Sequence, residues 1–359
     1  MNDTHYPSPN SPGAAEPHPA AIEFTGRAGE YFRIWIVNMA LTVVTLGIYA
    51  AWAKVRTRRY FYRNTVLLGD AFDFHADPWR ILRGHIIAVS ILAPYAALSY
   101  FRPELALLYL LLIMLLMPFL WVQSRAFNLG NTSYRGVRFG FRRDYKGAYA
   151  AIFMGFLVTL LTLGLASGYA EYRRARFAVT HSRFGTLDFA YHADRSPFIA
   201  LYIKAMLVTL GAVFVVGLVM TIIFYMMTTI AGVSANEYYS SFVFILYPVV
   251  FLAYVLPFAY LNAGRQNLLL GNATLGPHAL RSNVAVYDLF IIYLSNLVMI
   301  ALSLGLLMPW AKVRLMRYRL SCVQVVVHGD IVSQSRGDDG SSGAAADTLG
   351  EALSLDFGL

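Results

Sequence analysis

The chain has 359 residues, 58% of them hydrophobic and only 14% charged, with a formal net charge of +9 and a mean hydropathy of +0.53. Soluble domains carry roughly a quarter charged residues, so this balance excludes an ordinary soluble globule and reads as an integral membrane protein. A single cysteine, Cys322, excludes an internal disulfide and a cysteine-based zinc cluster. The cations collect beside apolar ends, as membrane sidedness predicts, so no nucleic-acid partner is expected.

Residues 1–20 are polar and Pro-rich, without the basic n-region of a cleaved signal, and read as a disordered tail. IEFTGRAGEYF (22–32) reads as a strand ahead of the first apolar stretch, 33–53. That stretch ends in a junction, LGIYAAWAKVRTRRYFYRNT (46–65), which turns basic within one helical turn through Lys54, Arg56, Arg58 and Arg59. Trp52 and Tyr60 fit as interfacial anchors. Each Lys or Arg would favour an anionic leaflet by about 1 kcal/mol at best.

NTVLLGDAFDFHAD (64–77) reads as a turn and a strand with one apolar face. Stretches 84–101 and 104–122 form a helical hairpin across Phe101-Arg102-Pro103-Glu104, leaving through Pro118 towards Arg125. NTSYRGVRFGFRRD (131–144) repeats the strand module and leads into the apolar stretch 147–168. The junction that follows is diluted, since Tyr169 and Glu171 stand where the first copy has Trp52 and Lys54. HSRFGTLDFAYHAD (181–194) is a third module, and 199–231 with 239–261 form a second hairpin that exits towards Arg265. NATLGPHALRSNVA (272–285) is a worn fourth module. Stretch 287–309 then meets a sharp junction carrying Trp310, Lys312, Arg314 and Arg317. Residues 331–359 read as a disordered acidic tail.

Sliding the chain by 117 residues pairs 24–77 with 141–194 without a gap, and a slide of 258 pairs Trp52-Ala53-Lys54-Val55-Arg56 with Trp310-Ala311-Lys312-Val313-Arg314. These matches divide the chain into unit 1 (22–140), unit 2 (141–281) and a partial unit 3 (282–330). The expected fold is an integral membrane protein, mainly α-helical, with about seven hydrophobic segments, some re-entrant, and small repeated β-hairpin modules at the membrane face. If all seven segments cross, Lys and Arg fall on both sides. If 33–53, 147–168 and 287–309 dip in and return, only Arg102 lies outside, with Lys204 inside the fifth stretch. The charge distribution favours the second arrangement, although 33–53 shows no turn at its middle, and with Gly47 near one end its two arms would be uneven and too short to span ~30 Å. An inverted repeat of three-segment units is the third arrangement.

The deep parts of the stretches contain no ionisable residue, unlike most ion-driven transporters. Asn38 and Asn296 occupy matching repeat positions and form the candidate intramembrane polar pair, for which interhelical hydrogen bonding worth ~0.6 kcal/mol is the simpler reading. His75 with Asp77, and His192 with Asp194, could face one side of a strand as metal ligands, but Arg142 replaces the histidine in another copy and favours a turn role. No nucleotide loop, metalloprotease signature or nucleophile elbow occurs. No catalytic, cofactor or metal residue is therefore expected.

With the junctions at 45–65 and 306–320 and FDFHAD between them, the sequence resembles the YjgN-like family of bacterial multi-pass inner-membrane proteins, a domain of unknown function, over roughly 22–330. The resemblance implies the bacterial cytoplasmic membrane and supplies no activity. The expected function is a non-enzymatic role in envelope organisation or as a binding platform. Its expected partners are the bilayer and the anionic headgroups at the basic junctions (Trp52, Lys54, Arg56, Arg58, Arg59, Trp310, Lys312, Arg314, Arg317), and exposed strands favour a homo-oligomer. The alternative is a transporter or channel for a neutral or lipid-like solute.

Overall fold

Ten short antiparallel strands close into one barrel, and every helix long enough to leave it comes back to it. The computed structural model describes residues 17–230, 232 and 235–336, with the side chains of 235–248, 251 and 252 left aside; the rest of both expected tails lies outside it. β1 (His18–Phe24) leads into α1 (Ala28–Val44), which reverses and returns as α2 (Ala50–Arg63). β2 (Thr65–Leu67) and β3 (Asp70–Phe74) follow as a hairpin, then α3 (Pro78–Phe101) and α4 (Pro103–Gly130). β4 (Thr132–Tyr134) and β5 (Val137–Phe141) precede α5 (Tyr145–Ala148), a π-helical turn, α6 (Met154–Leu161) and the return helix α7 (Ser167–Thr180). β6 (Ser182–Phe184) and β7 (Leu187–Tyr191) lead to the long pair α8 (Arg195–Tyr225) and α9 (Ala235–Leu270). β8 (Ala273–Leu275), β9 (His278–Ser282), α10 (Val286–Leu302), α11 (Met308–Ser321), β10 (Val323–Val327) and α12 (Ile331–Ser335) complete the chain.

The seven-segment expectation is corrected here. Among the described residues three helices are long and apolar enough to cross a membrane: Pro78–Phe101, Pro103–Gly130 and Arg195–Ile230. The stretches 33–53, 147–168 and 287–309 are not single segments, because each contains a reversal. The outgoing arms Ala28–Val44, Tyr145–Leu161 and Val286–Leu302 stop at Thr45-Leu46-Gly47, Thr162-Leu163-Gly164 and Ser303-Leu304-Gly305. In each turn the leucine sits at φ 50–51° and the glycine at 91–92°. The glycine N–H bonds the carbonyl five residues back at 2.8 Å in all three, the Schellman closure that ends a helix. The Thr or Ser hydroxyl then accepts the N–H four residues on (Tyr49, Ala166, Leu307) at 2.9–3.0 Å. Backbone polar groups are thus satisfied at an apolar tip, the condition for placing a turn in hydrocarbon. The return arm is the polar helix itself, 14 residues in each case, so the arms need not be equal parts of one apolar run.

The small β-hairpin modules expected at the membrane face are corrected too: they pair, together with β1 and β10, into one closed barrel. β1 joins both ends, pairing with β10 (His18↔Val327) and with β2 (Ile22↔Leu67). Every junction repeats one backbone bond. The residue after a strand donates its N–H to the end of the next return helix: Thr25 to Asn64, His75 to Asn131, Arg142 to His181, His192 to Asn272 and Asn283 to Cys322, at 2.8–3.0 Å. The Asn-Thr that opens a module is a helix terminus. Asn64, Asn131 and Asn272 each donate from their side chain to the carbonyl four residues back. Asp77 and Asp144 at module ends accept the first N–H groups of the following helices, as N-caps.

The barrel lumen is filled. Tyr134, Phe184, Leu67 and Val327 are buried at its centre, Phe139 meets Phe184 at 4.7 Å, and the Tyr134 hydroxyl donates to the Leu67 carbonyl at 2.7 Å. Each such buried side chain contributes roughly 1.5–3 kcal/mol. α12 covers the turn end of the barrel with Ile331 and Val332, held by Thr186 N–H to the Ser335 carbonyl at 3.0 Å. It lies in the segment expected to be disordered tail.

Candidate functional site

The return helices α2, α4, α7, α9 and α11 each run directly into a strand, so their last turns stand side by side above the barrel mouth. Counting back ten residues from the residue that ends each gives Lys54, Trp121, Glu171, Asn262 and Lys312; seven back come Ser124, Arg174 and Arg265, six back Arg58, Arg125 and Gln266, three back Asn128 and Arg319. Spacings of three and four residues put these on one face of each helix. Side chains on that face link the helices by direct contact or by charge. The Arg58 guanidinium donates to the Asn128 side chain between α2 and α4. Arg125, stacked 5.2 Å over Trp121, lies within electrostatic reach of Arg174 and Glu171 between α4 and α7. The Glu171 carboxylate takes Arg174 at 2.5 Å on its own helix and Arg265 of α9 at 2.8 Å. Gln266 of α9 and Arg319 of α11 exchange two hydrogen bonds, at 2.6 and 3.0 Å. Lys312 of α11 sits 5.2 Å from the Phe61 ring of α2 and closes the circle.

Among the described residues this belt carries Lys54, Arg58, Arg125, Arg174, Arg265, Lys312 and Arg319, with the Glu171 carboxylate set among them. Two cavities open on it. One of about 500 Å³ lies between α7, α9 and α11, and one of about 560 Å³ lies between α1 and α2, with Lys312 lining both.

The residues read from the sequence as headgroup contacts divide between two surroundings. Lys54, Arg58 and Lys312 face the belt. Arg56 is exposed and donates to the Tyr49 hydroxyl at 3.0 Å, and Arg59 reaches the Phe74 carbonyl at 3.2 Å. Arg314 lies 5.2 Å over Trp310 and donates to Ser295 at 2.6 Å, while Arg317 is exposed and donates to the Gly26 carbonyl at 2.9 Å. Trp52 packs against Trp79 with ring centres 5.0 Å apart. Asn38 and Asn296 do not meet. Each clasps its own hairpin, donating to Ala53 at 3.4 Å and Ala311 at 3.2 Å. His75 and His192 bond Ser133 and Thr274 of the adjoining barrel hairpin, and no group of three or more metal-ligating side chains occurs among the described residues. Arg125 and Arg265 were visible in the sequence as hairpin exits. Asn128, Arg174, Gln266 and Arg319 were not, although their fixed distance from each strand is a usable signal.

The sequence profile described as "Bacterial protein of unknown function (DUF898)" matches residues 19–352. Inner membrane protein YjgN of Salmonella typhimurium is 25% identical over 360 residues, covering 88% of this chain and 90% of that protein. Inner membrane protein YjgN of Escherichia coli O157:H7 is 30% identical over 145 residues, covering 40% of this chain and 36% of that protein. No solved structure matches the chain.

Proposed function

We propose a role from the premise that the chain belongs to the bacterial family of unknown function DUF898 and resides in the inner membrane: it is a multi-pass, non-enzymatic platform that enters the bilayer from one face. The observation that carries this reading is the common root of all the helical hairpins on one rim of the barrel. Return helices of 14 residues extend about 21 Å, less than the ~30 Å hydrocarbon thickness, so the three short hairpins end within the bilayer. Their tips are apolar and bare: Leu46, Leu163 and Leu304 are 92–94% exposed. α3 and α4 are long enough to cross, and carry Arg102 and Glu104 at their far turn. The concentration of cations on the barrel side supports a cytoplasmic barrel under the positive-inside rule. Such a body would hold the anionic leaflet at its basic junctions and organise the membrane around it. The transport reading has the polar belt in its favour, but the packed barrel lumen beneath opposes a path through the axis.

Spin labels at Leu46, Leu163, Leu304 and Phe101 in lipid vesicles test the insertion. The first three should respond to oxygen in the hydrocarbon and stay shielded from aqueous nickel complexes, with Phe101 near the opposite interface. Water exposure of all three short tips would sink the proposal.

A further inference from the structure

We propose that the cavity between α7, α9 and α11 is a binding site for one acidic lipid, its anionic headgroup held by Lys312 and Arg319. This rests on the membrane placement above but concerns one cavity of the belt, to which the third junction contributes Lys312. Glu171 is already shared by Arg174 and Arg265, at 2.5 and 2.8 Å. Among the described residues Lys312 and Arg319 have no carboxylate partner: Lys312 lies over two aromatic rings, 5.2 Å from Phe61 and 5.7 Å from Tyr31, and Arg319 bonds the neutral amide of Gln266 at 2.6 Å. With Arg265 they give the cavity wall a net positive charge. The remainder of the wall is apolar, including Phe198, Leu269 and Met316. A volume of about 500 Å³ falls in the range of roughly 300–1,000 Å³ typical of ligand sites, which combine an apolar lining with a few convergent polar groups. Cations beside an apolar wall match a headgroup joined to an acyl chain better than a free anion, which would leave the apolar surface without a partner. Arg319 offers a planar fork suited to phosphate, and Lys312 a point charge.

The test titrates the full chain, purified and delipidated in neutral detergent, with phosphatidylglycerol, phosphatidylcholine and inorganic phosphate, reading bound lipid by native mass spectrometry. Wild type should take one phosphatidylglycerol in preference to phosphatidylcholine, with inorganic phosphate a weak competitor. Lys312→Gln and Arg319→Gln should each weaken phosphatidylglycerol about tenfold, the scale of one charge-assisted contact. Arg138→Gln, exposed on β5 and away from both the junctions and the cavity, should leave it unchanged. Because Arg319 also braces α9, Lys312→Gln, at an exposed position, keeps the test decisive if the Arg319 variant fails to fold. Equal weakening by Arg138→Gln, equal binding of phosphatidylcholine, phosphate competing as strongly as lipid, or no bound lipid would each overturn the site. Such a failure with the short tips still in hydrocarbon removes this site alone, whereas water-exposed tips with selective lipid binding remove only the insertion proposal.

Discussion

His278 is the most buried titratable side chain of the barrel, with no exposed surface. Its Nδ1 accepts the His328 N–H at 3.1 Å, beneath the segment that leads into α12. Burial pushes its pKa below the ordinary histidine value, and repulsion from His328 adds to this against the opposing pull of Gln334 and Asp330. A depressed folded pKa means that the neutral ring contributes its full stability above the unfolded value of about 6.5. That contribution is lost as pH falls through the folded value. Melting temperature should therefore drop between pH 7.5 and 5, and His278→Gln should flatten the profile. An unchanged profile in the variant would remove His278 from the account. Residue identity also explains the middle junction, where Glu171 looks in sequence like a weakened copy of Lys54. In the folded chain it is a counter-ion within the belt, joining α7 to α9 through Arg265.

The short hairpins show how one position does its work by two different means. Asn38 and Asn296 clasp the return helix at Ala53 and Ala311. The middle hairpin has Gly155 at the equivalent place, and a Cβ added there would come within 3.2 Å of the Ala170 Cβ. The first and third hairpins are held by a polar clasp, the second by close helix approach, as small residues permit in membranes. Asn38→Leu should cost little, about 0.6 kcal/mol for the lost bond, whereas Gly155→Leu should force α6 and α7 apart and sharply lower the yield of folded protein. Equal behaviour of the two variants in a thermal aggregation assay would contradict this. At this scale the sequence was informative about local structure: the turn residues and F-x-F alternation located the four β-hairpins, because those signals are local. The charge distribution favoured helical reversals, but the local pattern did not place their turns. Leucine is an uncommon residue at positive φ, and an apolar turn has the same hydropathy as an apolar helix. β10 and α12 also went unread, since VQVVV is too short to separate from the helix before it.

For the whole molecule, closure is the property that one-dimensional reading could not supply. The gapless modules predicted several hairpins, yet closure needs β1 to pair both with β2 and with β10, and its contacts with β10 lie some 300 residues apart. Closure removes the strand edges on which self-association was expected, so contacts between copies would have to use other surfaces. It also gathers five return helices around one axis and brings scattered cations into a belt. The same closure makes sidedness a single quantity, because every barrel turn must lie on the face opposite the Phe101–Glu104 tip. Cysteine accessibility in intact cells, in a Cys322→Ser background, measures it directly. Asp188→Cys, on β7 beyond the middle hairpin, and Asp70→Cys should react with a membrane-impermeant thiol reagent only after the inner membrane is opened, and Glu104→Cys should react in cells permeable only at the outer membrane. Labelling of Asp188→Cys from outside, with Asp70→Cys protected, would place the two barrel hairpins on opposite sides and contradict the one-sided barrel.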